Sequence, residues 1–257
     1  SLSEAQGRKD LAFAVDSQGR ALIGGRVGAR KHRVHRWQGG AWAALGDEPL
    51  PIRSEQHAVL TVDGQDRPTY TALGGSGRKR RLQVVRWMAN TWADLGDPAK
   101  CGIDGSPILE LDAASTAGNG MALAWRTEPA GADTLGVCTW DGTQWRALPS
   151  PIPDGVSLDF DGWEGDAAAI DVETLGDSVF VAFEGHRDAG RQIWTRRWDG
   201  AAWSNLSPEG DSATACPGSC GRPDLAIAGR HACLAWKQPG DGGAQLALRC
   251  SSASGDQ

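Results

Sequence analysis

No run of 18 apolar residues occurs anywhere in the 257-residue chain, so no segment has the length and character of a membrane-spanning helix. No stretch carries the 3.6-residue apolar period of an amphipathic helix. No glycine-rich phosphate loop opens a helix, and no serine or cysteine sits in a nucleophile motif. The five histidines (His32, His35, His57, His186, His231) show no metal-ligand spacing. These absences remove nucleotide hydrolysis, triad hydrolysis and histidine-zinc chemistry, and no cofactor or metal is expected. A signal peptide is also missing. The chain starts at Ser1 rather than at a methionine, which marks it as processed or trimmed and hides its original targeting.

The aromatic inventory is equally lopsided. One tyrosine and four phenylalanines accompany twelve tryptophans. Eight of those tryptophans form pairs, in "VHRWQGGAWAALGD" (Trp37, Trp42), "VVRWMANTWADLGD" (Trp87, Trp92), "VCTWDGTQWRALPS" (Trp140, Trp145) and "TRRWDGAAWSNLSP" (Trp198, Trp203). The first members are 50, 53 and 58 residues apart, a period that signals a repeat architecture. Before each pair come three short apolar runs rich in Val, Ala and Leu, bounded by Gly, Asp and Pro. In the first unit these are "LAFAVDSQG", "RALIGG" and "HRVHRW". Four short strands per repeat is the unit of a β-propeller blade, with tryptophan filling the space between twisted sheets. Each tryptophan can bury about 150–250 Å².

Five first, second and third strands can be counted against four tryptophan pairs. The period places the missing tryptophan near Cys250. The missing fourth strand appears at the other end of the chain: "SLSEAQG" at Ser1 matches "SNLSPEG" after Trp203, with Leu2 in the place of Leu206. "GRKDLA" from Gly7 then echoes "GRPDLA" from Gly221. The expected fold is all-β, a five-bladed β-propeller with four antiparallel strands per blade. Its N-terminal strand completes the last blade and removes the free edge. Residues 1–250 are expected to form one domain, and 251–257 ("SSASGDQ") a flexible tail.

Six cysteines, an even number, point to an oxidising compartment, so the protein is expected to be secreted, periplasmic or on the cell surface. Cys233 and Cys250 flank a hairpin turning near Gly240–Gly242, which sets them opposite each other within disulfide reach. Cys216 and Cys220 in "CPGSC" close a small loop, leaving Cys101 with Cys138. Reduced thiols, or a zinc site from Cys216, Cys220, Cys233 and His231, are the alternatives.

The net charge of −6 conceals an imbalance: residues 1–100 hold 16 Lys+Arg against 10 Asp+Glu, and residues 101–257 hold 10 against 22. The basic excess lies in two equivalent segments between second and third strands, "RVGARKHR" and "GRKRR". The candidate ligand-binding residues are therefore Arg30, Lys31, Arg33, Arg78, Lys79, Arg80 and Arg81, aimed at an anionic partner. Solvated hairpin tips are the competing explanation. Nucleic acid is not expected, because no aromatics interleave the cations and the chain is acidic as a whole. "DFDGWEGD" (Asp159, Asp161, Glu164, Asp166) fails the EF-hand pattern at Trp163, Glu164 and Ile170.

For catalysis, Asp10, Asp166 and Asp224 precede innermost strands, where carboxylates facing across a tunnel mouth could hydrolyse a glycosidic bond. Asp16, Asp63 and Asp112 are assigned to strand exits, as turn formers. The W-D-G-x-x-W turn and the five-fold count resemble tachylectin-type propeller lectins and, more distantly, Asp-box proteins. That resemblance implies a propeller fold and carbohydrate recognition, but no ligand residue transfers with it. The expectation is a non-catalytic propeller recognising a surface glycan or a protein partner, without membrane insertion and with its oligomeric state open. A glycan-active enzyme with tunnel carboxylates is the alternative.

Overall fold

The structure is a computed structural model. It describes residues 11–27, 31–52, 54–74, 81–96, 98–101, 108–116, 118–127, 134–154, 156–158, 170–187, 190–206, 213–215, 221–240 and 243–253. The first sheet, blade 1, contains β1 (Ala12–Val15), β2 (Ala21–Val27), β3 (Lys31–Trp37) and β4 (Trp42–Ala44). Blade 2 holds β5 (Ser54–Val62), β6 (Pro68–Gly74), β7 (Arg81–Met88) and β8 (Thr91–Asp94), followed by a 3-10 turn at Pro98–Cys101. Blade 3 holds β9 (Ile108–Ser115), β10 (Met121–Thr127), β11 (Thr134–Trp140) and β12 (Trp145–Ala147). Blade 4 holds β13 (Ile170–Leu175), β14 (Ser178–Arg187), β15 (Gly190–Trp198) and β16 (Trp203–Asn205), with a short β17 (Ala213–Ala215) also on β15. Blade 5 holds β18 (Gly221–Ala228), β19 (His231–Gly240) and β20 (Gly243–Ser252).

Each sheet is antiparallel in sequence order, and the chain is a five-bladed β-propeller. The fourth strand expected from the segment around Leu2 lies outside the described residues. Ser251 and Ser252 of the segment expected as a tail belong to the last strand, and residues 254–257 lie outside the described residues. β20 runs to Ser252, and Ala253 is buried, its N–H donating to the Arg230 carbonyl at 2.6 Å.

The second strands of blades 3 and 4 are sandwiched on both faces, which is why they read as unbroken apolar runs rather than alternating ones. In β14, Val179 through Phe183 are all buried. Val179, Val181 and Phe183 pack toward blade 3, and Phe180 and Ala182 toward blade 5. The same rule governs blade 2, where Tyr70 and Ala72 join the blade 1 cluster and Leu73 joins the blade 3 cluster. Close approach is bought with glycine at two places. A Cβ on Gly24 would meet the Tyr70 ring of the next blade at 2.5 Å, and one on Gly136 would meet Trp125 at 2.4 Å.

The tryptophan pairs face each other across the β3–β4, β7–β8, β11–β12 and β15–β16 hairpins, with ring centroids 5.3 to 5.6 Å apart. Their second members do more than pack. The indole Nε1–H of Trp92 donates to the Leu45 carbonyl at 2.9 Å, that of Trp145 to Leu95 at 3.0 Å and that of Trp203 to Pro149 at 2.7 Å. Each bond crosses to the preceding blade. The acceptors sit at or beside the leucine that closes every W-x-x-L segment. That leucine is itself fixed, since Leu45, Leu95, Leu148 and Leu206 donate their N–H back to the third strand. In blades 3 and 4 the turn between the tryptophans is capped by its aspartate: Asp141 Oδ1 accepts from the N–H groups of Thr143 and Gln144, and Asp199 Oδ1 from those of Ala201 and Ala202. The Thr143 hydroxyl also donates to Asp141 Oδ1, and these bonds hold both carboxyls below the usual carboxylate range. Blade 2 turns instead through Ala89 and Asn90, both at positive φ (48° and 64°), so it needs neither Asp nor Gly.

Cys233 and Cys250 are register partners on β19 and β20 and form a disulfide, with Cα atoms 4.0 Å apart. A second disulfide, Cys101–Cys138, ties the 3-10 turn after blade 2 to β11 of blade 3, with Cα atoms 6.0 Å apart. Cys216 and Cys220 lie outside the described residues. The position of the missing fifth tryptophan, opposite Ala232, is taken by Ser251, next to the bonded Cys250.

The inter-blade indole bonds give the first prediction. Trp145→Phe strips the Leu95 carbonyl of its buried partner and should destabilise the fold by about 1–3 kcal/mol. Trp37→Phe, on a half-exposed ring, should cost less. Urea unfolding of the two variants makes the comparison, and equal midpoints would remove the indole bond from the account.

Candidate functional site

The innermost strands carry the most unusual chemistry. Registers align their positions: Ala12 faces Gly24, Val59 faces Thr71, Asp112 faces Ala124, Asp171 faces Ala182 and Asp224 faces Ala235. One equivalent position on the channel wall is thus alanine or valine in blades 1 and 2 and aspartate in blades 3, 4 and 5. Asp112 Oδ2 accepts the N–H of Val172 at 2.7 Å, and Asp171 Oδ2 accepts the N–H of Leu225. Each carboxyl therefore grips the backbone of the following blade, one residue beyond that blade's own aspartate. Asp112 and Asp171 also hydrogen-bond to each other.

Two carboxyls in contact cannot both ionise cheaply, so the pair shares a proton. Burial, the hydrogen bond to Asp112 and its negative charge push Asp171 up to about 10. Burial raises Asp112 as well, against the lowering effect of its bonds from Asp171, Val172 and Ala113. Glu173, two residues along the same strand, is pushed to about 7 by burial and by the charges of Asp112 and Asp224. Among the described residues no group of three or more His, Cys, Asp or Glu side chains has the arrangement of a metal site.

These positions correct the sequence assignment of Asp112. It lies in the middle of β9, four residues before the turn, and Thr116 occupies the turn position instead. The N–H of Thr116 donates to Gly120, just as those of Asp16 and Asp63 donate to Arg20 and Arg67. Asp224 sits inside β18 rather than ahead of it. Asp10 and Asp166 lie outside the described residues, as do Asp159, Asp161 and Glu164. Asp171 and Glu173 were missed entirely. The signal that would have found them is the distance from each aspartate to the following "ALAW", "FVAF" or "CLAW" run.

Asp16 and Asp63 are turn formers with a second role. Asp16 Oδ1 accepts the N–H groups of Gln18 and Arg20, and Oδ2 pairs with Arg20 Nε at 2.7 Å. Burial alone would raise its carboxyl, but the bonds from Arg20 and Gln18 outweigh it and hold it low. Asp63 repeats this with Gln65 and Arg67, and the buried Arg86 approaches it to 3.8 Å. These hairpins are chained across blades: Ser17 donates to Asp66, while Arg67 and Arg86 donate to Asn119. The cations here are structural.

Of the basic candidates, Arg30, Arg78, Lys79 and Arg80 lie outside the described residues. Arg81 opens β7. Lys31 and Arg33 belong to β3 rather than to a loop, Lys31 exposed at its start. Arg33 is already engaged, donating to the Asp47 carbonyl at 2.8 Å and to the Gly46 carbonyl at 3.4 Å.

No protein-family profile matches the chain, and no curated protein sequence matches it. Solved structures do share its fold. The Aleuria aurantia lectin in complex with Fucα1-6GlcNAc superposes with a TM-score of 0.59 at 13% identity, over 93% of this chain and 74% of that one. AofleA from Arthrobotrys oligospora gives 0.58 at 14% identity, over 95% and 68%. A polysaccharide lyase, an ulvan lyase, gives 0.51 at 12% identity, over 94% and 70%. The chain is similar to both binding and catalytic propellers, so fold alone does not choose between them.

The shared proton makes a pH prediction. Between about pH 4 and the raised value of Asp171, the folded chain holds a proton that the unfolded chain has released. The stability that this proton contributes is therefore full at low pH and falls as pH rises, with a slope of up to about 1.4 kcal/mol per pH unit for one group. Asp171→Asn keeps the shape and an acceptor for Leu225 without the charge. Thermal melts at pH 4.5 and pH 8 should show a smaller decline for the variant and a higher Tm than wild type at pH 8. An unchanged decline would mean that Asp171 titrates as an ordinary carboxylate.

Proposed function

We propose that the protein is a non-catalytic, glycan-binding propeller that works in an oxidising compartment outside the cytoplasm. The observation that carries the non-catalytic part is the Asp112–Asp171 contact. Glycosidases hold their two carboxyls about 5 Å or more apart, so that a sugar ring or a water fits between them. Here each carboxyl is tied to the backbone of the next blade and interacts with its neighbour, a structural employment rather than two separated groups flanking a sugar. The glycan part is supported by the fold shared with the fucose-binding lectin, and the compartment by the two disulfides.

The proposed ligand is an anionic glycan. The cations Arg30, Lys31, Arg78, Lys79, Arg80 and Arg81 belong to equivalent segments of adjacent blades, and clustered like charge favours a bound anion. Arg33 is left out, because its guanidinium holds the backbone at Gly46 and Asp47. The second reading, a glycan-active enzyme, rests on Glu173. A carboxyl pushed to about 7 on the channel wall could still give up a proton at neutral pH.

A glycan array combined with hydrolase and lyase assays on the bound glycans separates the two. The expected result is binding without turnover, left intact in Glu173→Gln and Asp171→Asn. Turnover that either substitution abolishes would establish the enzyme instead. On heparin, replacing Arg78, Lys79, Arg80 and Arg81 with alanine should move elution to clearly lower salt, because the contact is a screened, exposed one. Co-elution of variant and wild type would reduce the cluster to a solvated face.

A further inference from the structure

The turns between first and second strands join neighbouring blades through charge, and two equivalent junctions differ in their balance. At the junction of blades 1 and 2, Arg20 and Arg36 stand with Asp16 and Asp66. Asp16 pairs with Arg20 at 2.7 Å and with Arg36 at 3.6 Å, and Arg36 donates to the Asp66 carbonyl at 3.2 Å. At the junction of blades 2 and 3, Arg67 and Arg86 take the places of those arginines. Asp63 pairs with Arg67 at 2.6 Å and with Arg86 at 3.8 Å, but the residue in the place of Asp66 is Asn119.

The turn bonds establish that equivalence. The Asp63 N–H donates to the Arg67 carbonyl and the Thr116 N–H to the Gly120 carbonyl, so Asp66 and Asn119 each precede the accepting residue. Arg86 donates to the Asn119 carbonyl, as Arg36 does to that of Asp66, and Arg67 donates to Asn119 Oδ1. Among the described residues, two carboxylates thus face two cations at the first junction and one faces two at the second. Burial and Arg20 lower Arg36 against the pull of both Asp16 and Asp66. Burial lowers Arg86, Asp63 raises it, and Arg67 lowers it further.

Asn119 is also the one asparagine of three that precedes glycine, since Asn90 precedes Thr91 and Asn205 precedes Leu206. The backbone nitrogen of the next residue can attack an asparagine side chain, and a glycine leaves that nitrogen unshielded by a Cβ. Gly118 and Asn119 are exposed, so water reaches the turn and ammonia can leave it. The two arginines assist both halves of the reaction. Arg67, on Oδ1, draws electron density from Cγ and stabilises the oxyanion that forms when Cγ is attacked. Arg86, on the Asn119 carbonyl, draws density from the peptide bond and makes the Gly120 N–H a stronger acid.

We infer that Asn119 is a self-modifying site, at which the folded chain converts the side-chain amide into a carboxylate that balances Arg67 and Arg86. Water takes the Gly120 N–H proton, and the nitrogen bonds to Cγ. Nδ2 takes up a proton and departs as ammonia, leaving a five-membered succinimide between the two residues. A water molecule then adds to Cγ, the Cγ–N bond breaks and the Gly120 nitrogen regains its proton. The sum is amide plus water giving carboxylate plus ammonium, with nothing oxidised or reduced. Opening of the ring at the backbone carbonyl would instead add a methylene to the main chain of the turn and remove the acceptor of Arg86, so the fold favours aspartate. The inference does not depend on the glycan reading, and its tests involve no ligand.

Peptide mapping of the whole chain after incubation in neutral buffer made with heavy-oxygen water reads the conversion directly. Asn119 should gain solvent oxygen while Asn90 and Asn205 do not, and it should convert at least as fast in the folded chain as in guanidinium chloride. This comparison needs no variant, so it stands even if a substitution weakens the fold. Arg67→Gln should slow the folded reaction roughly threefold or more, the effect of one exposed charge, and Arg67→Lys should keep most of the rate. Neither should alter the rate in denaturant. Asn119→Asp, which supplies the product from the start, should raise Tm by about 1–3 °C. A folded chain that protects Asn119 while denaturant releases it would overturn the inference. So would a product that is mainly isoaspartate, an Arg67→Gln rate equal to wild type, or a lower Tm for Asn119→Asp.

Discussion

A four-stranded sheet with two apolar faces is stable only when neighbours cover both. This chain meets that constraint by setting successive sheets face to face, so that alternate side chains of a second strand pack backward and those between them pack forward. Everything else follows from where one sheet meets the next. Burial supplies the drive, but flat apolar faces can slide, and directional bonds fix their register. At the outer rim the directional bond is an indole N–H reaching a carbonyl of the preceding blade. At the inner rim of blades 3 to 5 it is a carboxyl gripping an amide of the following blade.

This division explains why tryptophan displaces tyrosine and phenylalanine here. Tryptophan has the largest flat surface and carries its donor on the side of the ring system, whereas tyrosine carries its hydroxyl at the far tip and phenylalanine has no donor, and the pair geometry uses both features. It also gives the acidic channel wall a structural role. Carboxyls on adjacent inner strands stand close enough to need a shared proton, and the resulting shift in Asp171 follows from crowding and burial. A raised carboxyl is often read as the mark of an acid catalyst. In this wall the same shift comes from holding three blades together, and Glu173 is the one raised group left without a backbone to hold on the next blade in the bonds described above.

Much of the fold could be read from the residues. The tryptophan period set the blade count, and hairpin arithmetic between Cys233 and Cys250 placed those two cysteines opposite each other. The chemistry of the wall was harder to read. "ILELDAAS" looks like "AVLTVDGQD", because both are apolar runs with an aspartate near the end, and aligning them by hydrophobicity sends Asp112 to the turn. Only pairing with the second strand shows the aspartate four residues earlier, on the channel wall. Lys31 and Arg33 were misread for a related reason. Strand ends defined by side-chain character overlook a ladder that continues through charged residues, and here β3 begins at Lys31 and Arg33 is spent on the backbone of its own blade.

The central claim is that the channel carboxyls are structural, joined by a shared proton and fastened to the next blade. Carbon-detected NMR of the aspartate carboxyls, followed from pH 3 to pH 9, addresses it directly. The account predicts that the Asp171 carboxyl carbon keeps the chemical shift of a protonated acid through neutral pH, while the exposed turn aspartate Asp141 is already ionised at the start of the titration. An Asp171 that ionises near pH 4, independently of Asp112, would contradict it.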